Sequence, residues 1–254
     1  MWRNTRLVVF TAVTASLYAA ILIPFKVLPL IPGITEFRPA NAIPVVCSFL
    51  FGPAAAFGSA IGNLIGDLFA GLGPGDLFGF GGNFLYGLIP YRAWRAITER
   101  DPLPESPGGW VLLVAILFVA AAGCALVVGW GLNLLGFVPF PVLGNVVLWN
   151  NFLVAATLGP LLLRLLYPRV RAGELRYRDL VPPPPRRPAA ARWLLLAAGT
   201  CFILGGHVAG NLIYTGAWTP PWLPAGELSA SRSFEIGFGL APFVAGAFVC
   251  FLLL

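Results

Sequence analysis

Few polar side chains interrupt the apolar stretches of this sequence, and several recur about one helical turn apart. Asn63 and Asp67 are spaced i, i+4, as are Asn145 and Trp149, and Asn83 lies three residues before Tyr86. Residues at these spacings share a helix face. Glu36, Arg38 and Asn41 lead into another apolar run. Amides, carboxylates, a guanidinium and two aromatic faces can hydrogen-bond a small solute and stack on a flat ring. The sequence contains no Walker phosphate loop, HExxH pair or nucleophile elbow, so no ATPase, metalloprotease or esterase chemistry is visible. Cys47, Cys124, Cys201 and Cys250 are isolated in apolar runs, without paired metal-ligand or disulfide spacing, and read as small packing residues. The expectation is a binding protein, not an enzyme, with no metal and no cofactor.

The elements that position these residues follow from composition. Of 254 residues, 58% are hydrophobic and 10% charged, against about a quarter charged in a soluble domain. Stretches 7–23, 110–135, 143–163 and 193–213 exceed the roughly 18 apolar residues that mark a membrane-spanning helix. Lipid offers backbone groups no water, so only helices or a closed barrel can span it. The runs are continuous, not alternating, which selects helices. Between 40 and 92 the punctuation suggests three segments: Phe51-Gly52-Pro53 is a reversal with proline at a helix start, and the glycine-rich stretch 71–76 is a second break, with Asp76 a candidate helix cap. The expected helices are 7–24, 40–51, 54–71, 76–92, 110–133, 143–166, 193–214 and 236–254. The second is short for a bilayer core of about 30 Å and needs shielding by its neighbours. A single helix over 40–62 followed by a tilted one over 63–92 fits the charges equally well.

The net charge of +6 lies mainly beside helix ends, which is how membrane topology is written and not how a nucleic-acid surface is built. Eight spans with both termini cytoplasmic put Arg3, Arg6, Arg92, Arg95, Arg100 and the arginines of 164–192 inside, and leave Lys26, Arg38 and Arg232 outside. The first segment lacks a small-x-small cleavage site before Pro24 and is expected to be a retained helix. In this frame Asn63, Asp67, Asn83, Asn145 and Trp149 all fall toward the outer half. An ionisable group at a helix centre costs about 2.5–3.5 kcal/mol on insertion scales, so Asp67 asks for a reason: a pocket, access to water near the interface, or pairing with Arg38. Each amide taken alone can be an interhelical hydrogen bond, but their convergence favours a solute pocket. His207 and Asn211, one turn apart without an acidic or cysteine neighbour, read as a structural hydrogen bond rather than a metal site.

On the first helix, Ala12, Ser16 and Ala20 form one row of small residues and Ala15 and Ala19 another. Such rows let a second helix approach closely, either within the chain or from a partner. Together with "TAVTASLYAAILIPF", "EFRPANAIP", "FGPAAAFGSAIGNLIGDLF" and "GDLFGFGGNFLYGLIPY", this chain resembles the substrate-binding S components of energy-coupling factor (ECF) transporters, particularly the queuosine-precursor (QueT) type, over about residues 5–167. The resemblance implies a six-helix, ligand-capturing subunit that associates with a transmembrane coupling protein and two cytoplasmic ATPases. It also implies that the small-residue face of the first helix, here Ala15 and Ala19 with Ala12, meets the coupling protein, and that ATP hydrolysis tilts the subunit to release its solute inside. The family commonly places a glutamate after the arginine of the loop, where this sequence has Asn41; that points to a changed ligand.

The expected architecture is therefore an all-α membrane protein with a six-helix S-component-like core over 1–167, an Arg- and Pro-rich cytoplasmic linker over 168–192 and a two-helix extension over 193–254. The linker contains the run Pro182 to Pro185, which favours an extended polyproline conformation. The expected function is capture of a vitamin-like or nucleobase-like micronutrient at the outer half of a plasma-membrane importer. The rivals are a proton-coupled secondary transporter using Asp67 and a membrane scaffold that transports nothing.

Overall fold

The computed structural model describes residues 4–25, 29–31, 35–36, 38–69, 71–181, 187–223 and 232–254. The polyproline run expected at Pro182 to Pro185 lies outside the described residues, as do Arg3 and Lys26. The chain is an all-α membrane protein, with helices α1 (Thr5–Phe25), α2 (Ala42–Phe51), α3 (Pro53–Leu68), α4 (Asp76–Ile97), α5 (Pro107–Leu134), α6 (Phe140–Ala172), α7 (Tyr177–Leu180), α8 (Ala189–Thr215) and α9 (Arg232–Leu253). Between α1 and α2 lie two short antiparallel strands, β1 (Pro29–Ile31) and β2 (Thr35–Glu36), and a 3₁₀ turn, Pro39–Asn41. The strand pair was not anticipated. By length and composition, α1, α5, α6, α8 and α9 can each cross a membrane.

The reversal expected at Phe51-Gly52-Pro53 is present. Gly52 has φ +55°, its N–H closes α2 on the Ser48 carbonyl at 2.9 Å, and Pro53 begins α3. A side chain at Gly52 would be strained and would also meet the Tyr177 ring. A single helix over 40–62 is thereby excluded. All ten residues of α2 are buried, so this helix of roughly 15 Å needs no length to match the lipid. Asp76 is not the cap of α4. It occupies the first helical position, and its carboxylate instead accepts the Gly73 N–H at 2.7 Å, tightening the turn before the helix.

Two helices outrun their expected ends. Helix α4 continues to Ile97 with Arg92 and Arg95 in its last turns, and α6 continues to Ala172. Their extra turns carry cations near a helix C-terminus, where the helix dipole favours them. Part of the expected linker is also ordered. Asp101, in the loop after α4, pairs with Arg171 at 2.8 Å and with Arg178, and accepts the Tyr167 hydroxyl at 2.9 Å. Arg176 pairs with Asp179 at 2.8 Å.

Helix α1 packs on α3 through glycines. A Cβ on Gly58 would lie 2.5 Å from the Thr14 Cβ, and one on Gly62 2.8 Å from the Ala15 carbonyl oxygen. Glycine at both positions, four residues apart, lets the two backbones approach. Ala15 and Ala19 are buried, whereas Ala12, Ser16 and Ala20 face outward. The row implied by the family resemblance, Ala15 with Ala19, is thus taken up inside the chain; the row open to a partner is Ala12, Ser16 and Ala20.

Helix α5 runs through the centre, buried continuously from Ala120 to Val127. Its Gly123 sits between Ile89 of α4 and Ile203 of α8. Helices α8 and α9 pair closely, with Gly199 under Phe251 and Gly246 under Phe202. Trp130 of α5 donates to the Gly237 carbonyl of α9 at 2.8 Å, so the last two long helices dock directly on the others. Cys47, Cys124 and Cys250 are buried, as packing residues would be, but Cys201 is exposed on α8.

Candidate solute cavity

A cavity of about 420 Å³ opens at the end of the bundle where α3 ends and α4 begins. The glycine-rich connection from α3 to α4 contributes Gly71, Gly73 and Gly75 to its lining. Gly71, at φ +97°, and Gly73 have, among the described residues, no neighbouring atom against which a side chain would pack. Gly79 borders the cavity, where a Cβ would come within 3.0 Å of Asn63 Nδ2.

The polar wall draws on helices far apart in sequence. Arg38, Asn41, Asn63, Asp67 and Asn83 all line the cavity, so five of the nine residues proposed from sequence as solute contacts come together there. Asn63 donates to Asp67 Oδ2 at 2.6 Å, as their shared helix face suggested. The Asn63 Oδ1 is buried and has no hydrogen-bond partner among the described residues. At the base, the Tyr18 hydroxyl of α1 lies 2.9 Å from Asn41 Oδ1 and 3.0 Å from Asn83 Oδ1. Asn41 donates to Asn151 Oδ1 at 2.6 Å, and Asn83 to the Gly79 carbonyl at 2.9 Å. Val128 and Leu132 of α5 and Leu143 and Val147 of α6 supply the apolar side. An enclosure that sets five amides and two carboxylates, Asp67 and Asp76, against an apolar side suits reversible binding of a small polar solute.

Three of the proposed contacts lie elsewhere. Tyr86 is fully buried beside the cavity, and its hydroxyl donates to the Asn151 backbone carbonyl at 3.1 Å, bracing α4 against α6. Asn145 points toward α8: its Nδ2 donates to Asn211 Oδ1 at 3.0 Å and its Oδ1 lies 2.9 Å from His207 Nε2. Trp149 is 51% exposed and packs against Phe118 and Phe152 on the outside of the bundle. Glu36 falls in β2, and its side chain lies outside the described residues. His207 and Asn211 form the structural hydrogen bonds expected of them, with Asn145 as the missing partner. Among the described residues, no group of three His, Cys, Asp or Glu side chains is placed to hold a metal ion.

Sequence reasoning missed Tyr18, Asp76, Cys124, Asn150 and Asn151 as lining residues. Tyr18 carries no local signal, since an aromatic residue on an apolar helix reads as core. Asn150 and Asn151 were visible as polar residues in the sixth helix, but their face was not.

Comparison with known families gives the cavity its setting: the model of the QueT transporter family matches residues 8–168, well over half of the chain. The chain belongs to the QueT transporter family. The matched segment includes every helix that lines the cavity and ends within α6, so α8 and α9 lie beyond it. This QueT-family chain is accordingly a multi-pass membrane protein of a transporter family, and a transporter implies a small-molecule substrate. No curated protein matched it, and no solved structure did.

Proposed function

We propose that this protein is the substrate-capturing membrane subunit of an ECF-type importer, and that the cavity between α1, α3, α4, α5 and α6 receives a vitamin-like or nucleobase-like micronutrient. The observation that carries this reading is the buried Asn63 Oδ1, without a partner among the described residues, beside the Asp67 carboxylate. Leaving a buried acceptor unpaired costs about 1–3 kcal/mol, and a donor N–H of a bound solute removes that cost. The Tyr18 hydroxyl adds a second opening. It has one proton for two facing amide oxygens, Asn41 and Asn83, so one oxygen at a time is available to the solute. Asn41, Asn63, Asp67 and Asn83 are then direct contacts, Arg38 attracts or caps an anionic part of the solute at the mouth, and Tyr86 is a positioning residue.

In this reading the six-helix core of 1–167 binds the solute, the linker of 168–192 lies in the cytoplasm with both termini, and 193–254 forms a two-helix addition in the plasma membrane. The exposed Ala12, Ser16 and Ala20 face of α1 meets the transmembrane coupling protein, and two cytoplasmic ATPases supply the energy. Reconstitution into vesicles tests this division of labour, using the small molecule extracted from the purified protein as the probe. Accumulation should require the coupling protein, the ATPases and ATP. Uptake by this chain alone under a proton gradient, abolished by Asp67→Asn, would replace this reading with proton-coupled secondary transport.

A further inference from the structure

The opposite, arginine-rich end of the bundle carries a second hollow, of about 380 Å³, built jointly by the family core and by the helices that follow it. Arg92 and Arg95 from the end of α4 face Arg187 and Arg192 from the start of α8 across it. The last leucines of α9, Leu252 to Leu254, form an apolar side. Among the described residues, no aspartate or glutamate lines it, so the lining is positively charged. Of the acids at this end, Asp101 is engaged by Arg171, Arg176 and Arg178, and Asp179 by Arg176.

Two of the guanidinium groups are incompletely satisfied. The Nε atoms of Arg92 and Arg192 are buried and have no hydrogen-bond partner among the described residues. Arg192 is held across the hollow by an Nη1 hydrogen bond to the Ala96 carbonyl at 3.1 Å, which fixes the group without neutralising it. Buried guanidinium donors without an anion are costly, and the planar fork of arginine matches phosphate oxygens two at a time. A basic hollow between membrane helices, with leucines along one side, fits a headgroup phosphate with acyl chains beside it.

We propose that the Arg92 and Arg192 hollow binds a phosphate group, carried by an anionic phospholipid seated between the end of α4 and the α8 and α9 pair. The core alone supplies half of this site, and the two helices beyond the family match complete it. The inference does not depend on the solute cavity, which lies at the other end of the bundle.

The test uses the full chain in detergent with three probes: short-chain phosphatidylglycerol, short-chain phosphatidylcholine and inorganic phosphate, read by native mass spectrometry. The wild type should retain phosphatidylglycerol about tenfold or more better than phosphatidylcholine, a ratio in keeping with charge-assisted hydrogen bonds to the headgroup. The double variant Arg92→Gln/Arg192→Gln should lose that preference, and Arg92→Lys/Arg192→Lys, which keeps charge without the fork, should retain part of it. Inorganic phosphate that binds alone and displaces the lipid would keep the phosphate site but overturn the lipid as its bearer. A glutamine variant as selective as the wild type would overturn the site. Should that variant fail to fold, thermal unfolding of the wild type decides: stabilisation by phosphatidylglycerol and not by phosphatidylcholine supports the site, and equal stabilisation by both overturns it.

Discussion

Replacing Asn63 with alanine separates a solute contact from a structural amide. Among the described residues of the unliganded protein, the side chain makes one hydrogen bond, to Asp67 at 2.6 Å, and carries one buried acceptor with no partner. Removing it forfeits the first and relieves the second. Both terms are about 1–3 kcal/mol, and Asp67, only half-buried at the cavity, can turn to water, so the unliganded stability should move by less than about 1 kcal/mol. Binding responds differently. A solute N–H that donates to Oδ1 is left unpaired in the variant at a cost of about 1–3 kcal/mol, which is roughly 5- to 150-fold in affinity. The assay is the occupancy of co-purified solute by mass spectrometry, followed by titration of the extracted solute against thermal unfolding. Undiminished occupancy would show that Oδ1 does not face the solute. A loss of several kcal/mol in the unliganded protein would show that the amide is a structural tie.

Three further substitutions probe the assignment of faces. Gly79→Ala places a methyl group 3.0 Å from Asn63 Nδ2 and 3.8 Å from Asp67 Oδ2; solute occupancy should fall while the unfolding temperature stays near that of the wild type. Asn145→Leu leaves His207 Nε2 and Asn211 without their partner, so thermal unfolding in detergent should show a loss of about 1–3 kcal/mol with solute affinity unchanged. On α1, Ser16→Trp alters an exposed position and Ala15→Leu a buried one. The first should abolish co-purification of a coupling protein without reducing solute binding, whereas the second should lower stability by about 1–3 kcal/mol through overpacking against α3.

The helices were legible because apolar length and Gly-Pro punctuation are local properties. The reversal at Gly52 and Pro53 and the segment divisions up to 254 were readable in that way, although α4 and α6 end later than their hydrophobicity does. The two-stranded hairpin escaped notice because strands of three and two residues have no periodicity to read. Which way a side chain points was readable only in part. Asn63 and Asp67 share a face by spacing alone, and the depth of Asn41 and Asn83 placed them at the same end. Asn145 and Trp149 share the depth but not the direction. In a helix apolar on nearly every side, hydrophobicity does not mark the inward face, and here α8 supplies a second polar interior that the sequence of α6 does not reveal. The same ambiguity governs Ala15 and Ala12, whose roles were decided by Gly58 and Gly62 on another helix. Tyr18 became part of the cavity only because Asn41 and Asn83 are folded against its hydroxyl.

The central claim is that this chain captures a small solute for energised partners, and gentle extraction from its own membranes followed by native mass spectrometry tests it most directly. The account predicts one small ring-containing molecule per chain, together with a transmembrane coupling protein and two ATPase subunits. A chain recovered with neither a bound small molecule nor ATPases, under conditions that preserve other membrane complexes, would contradict it.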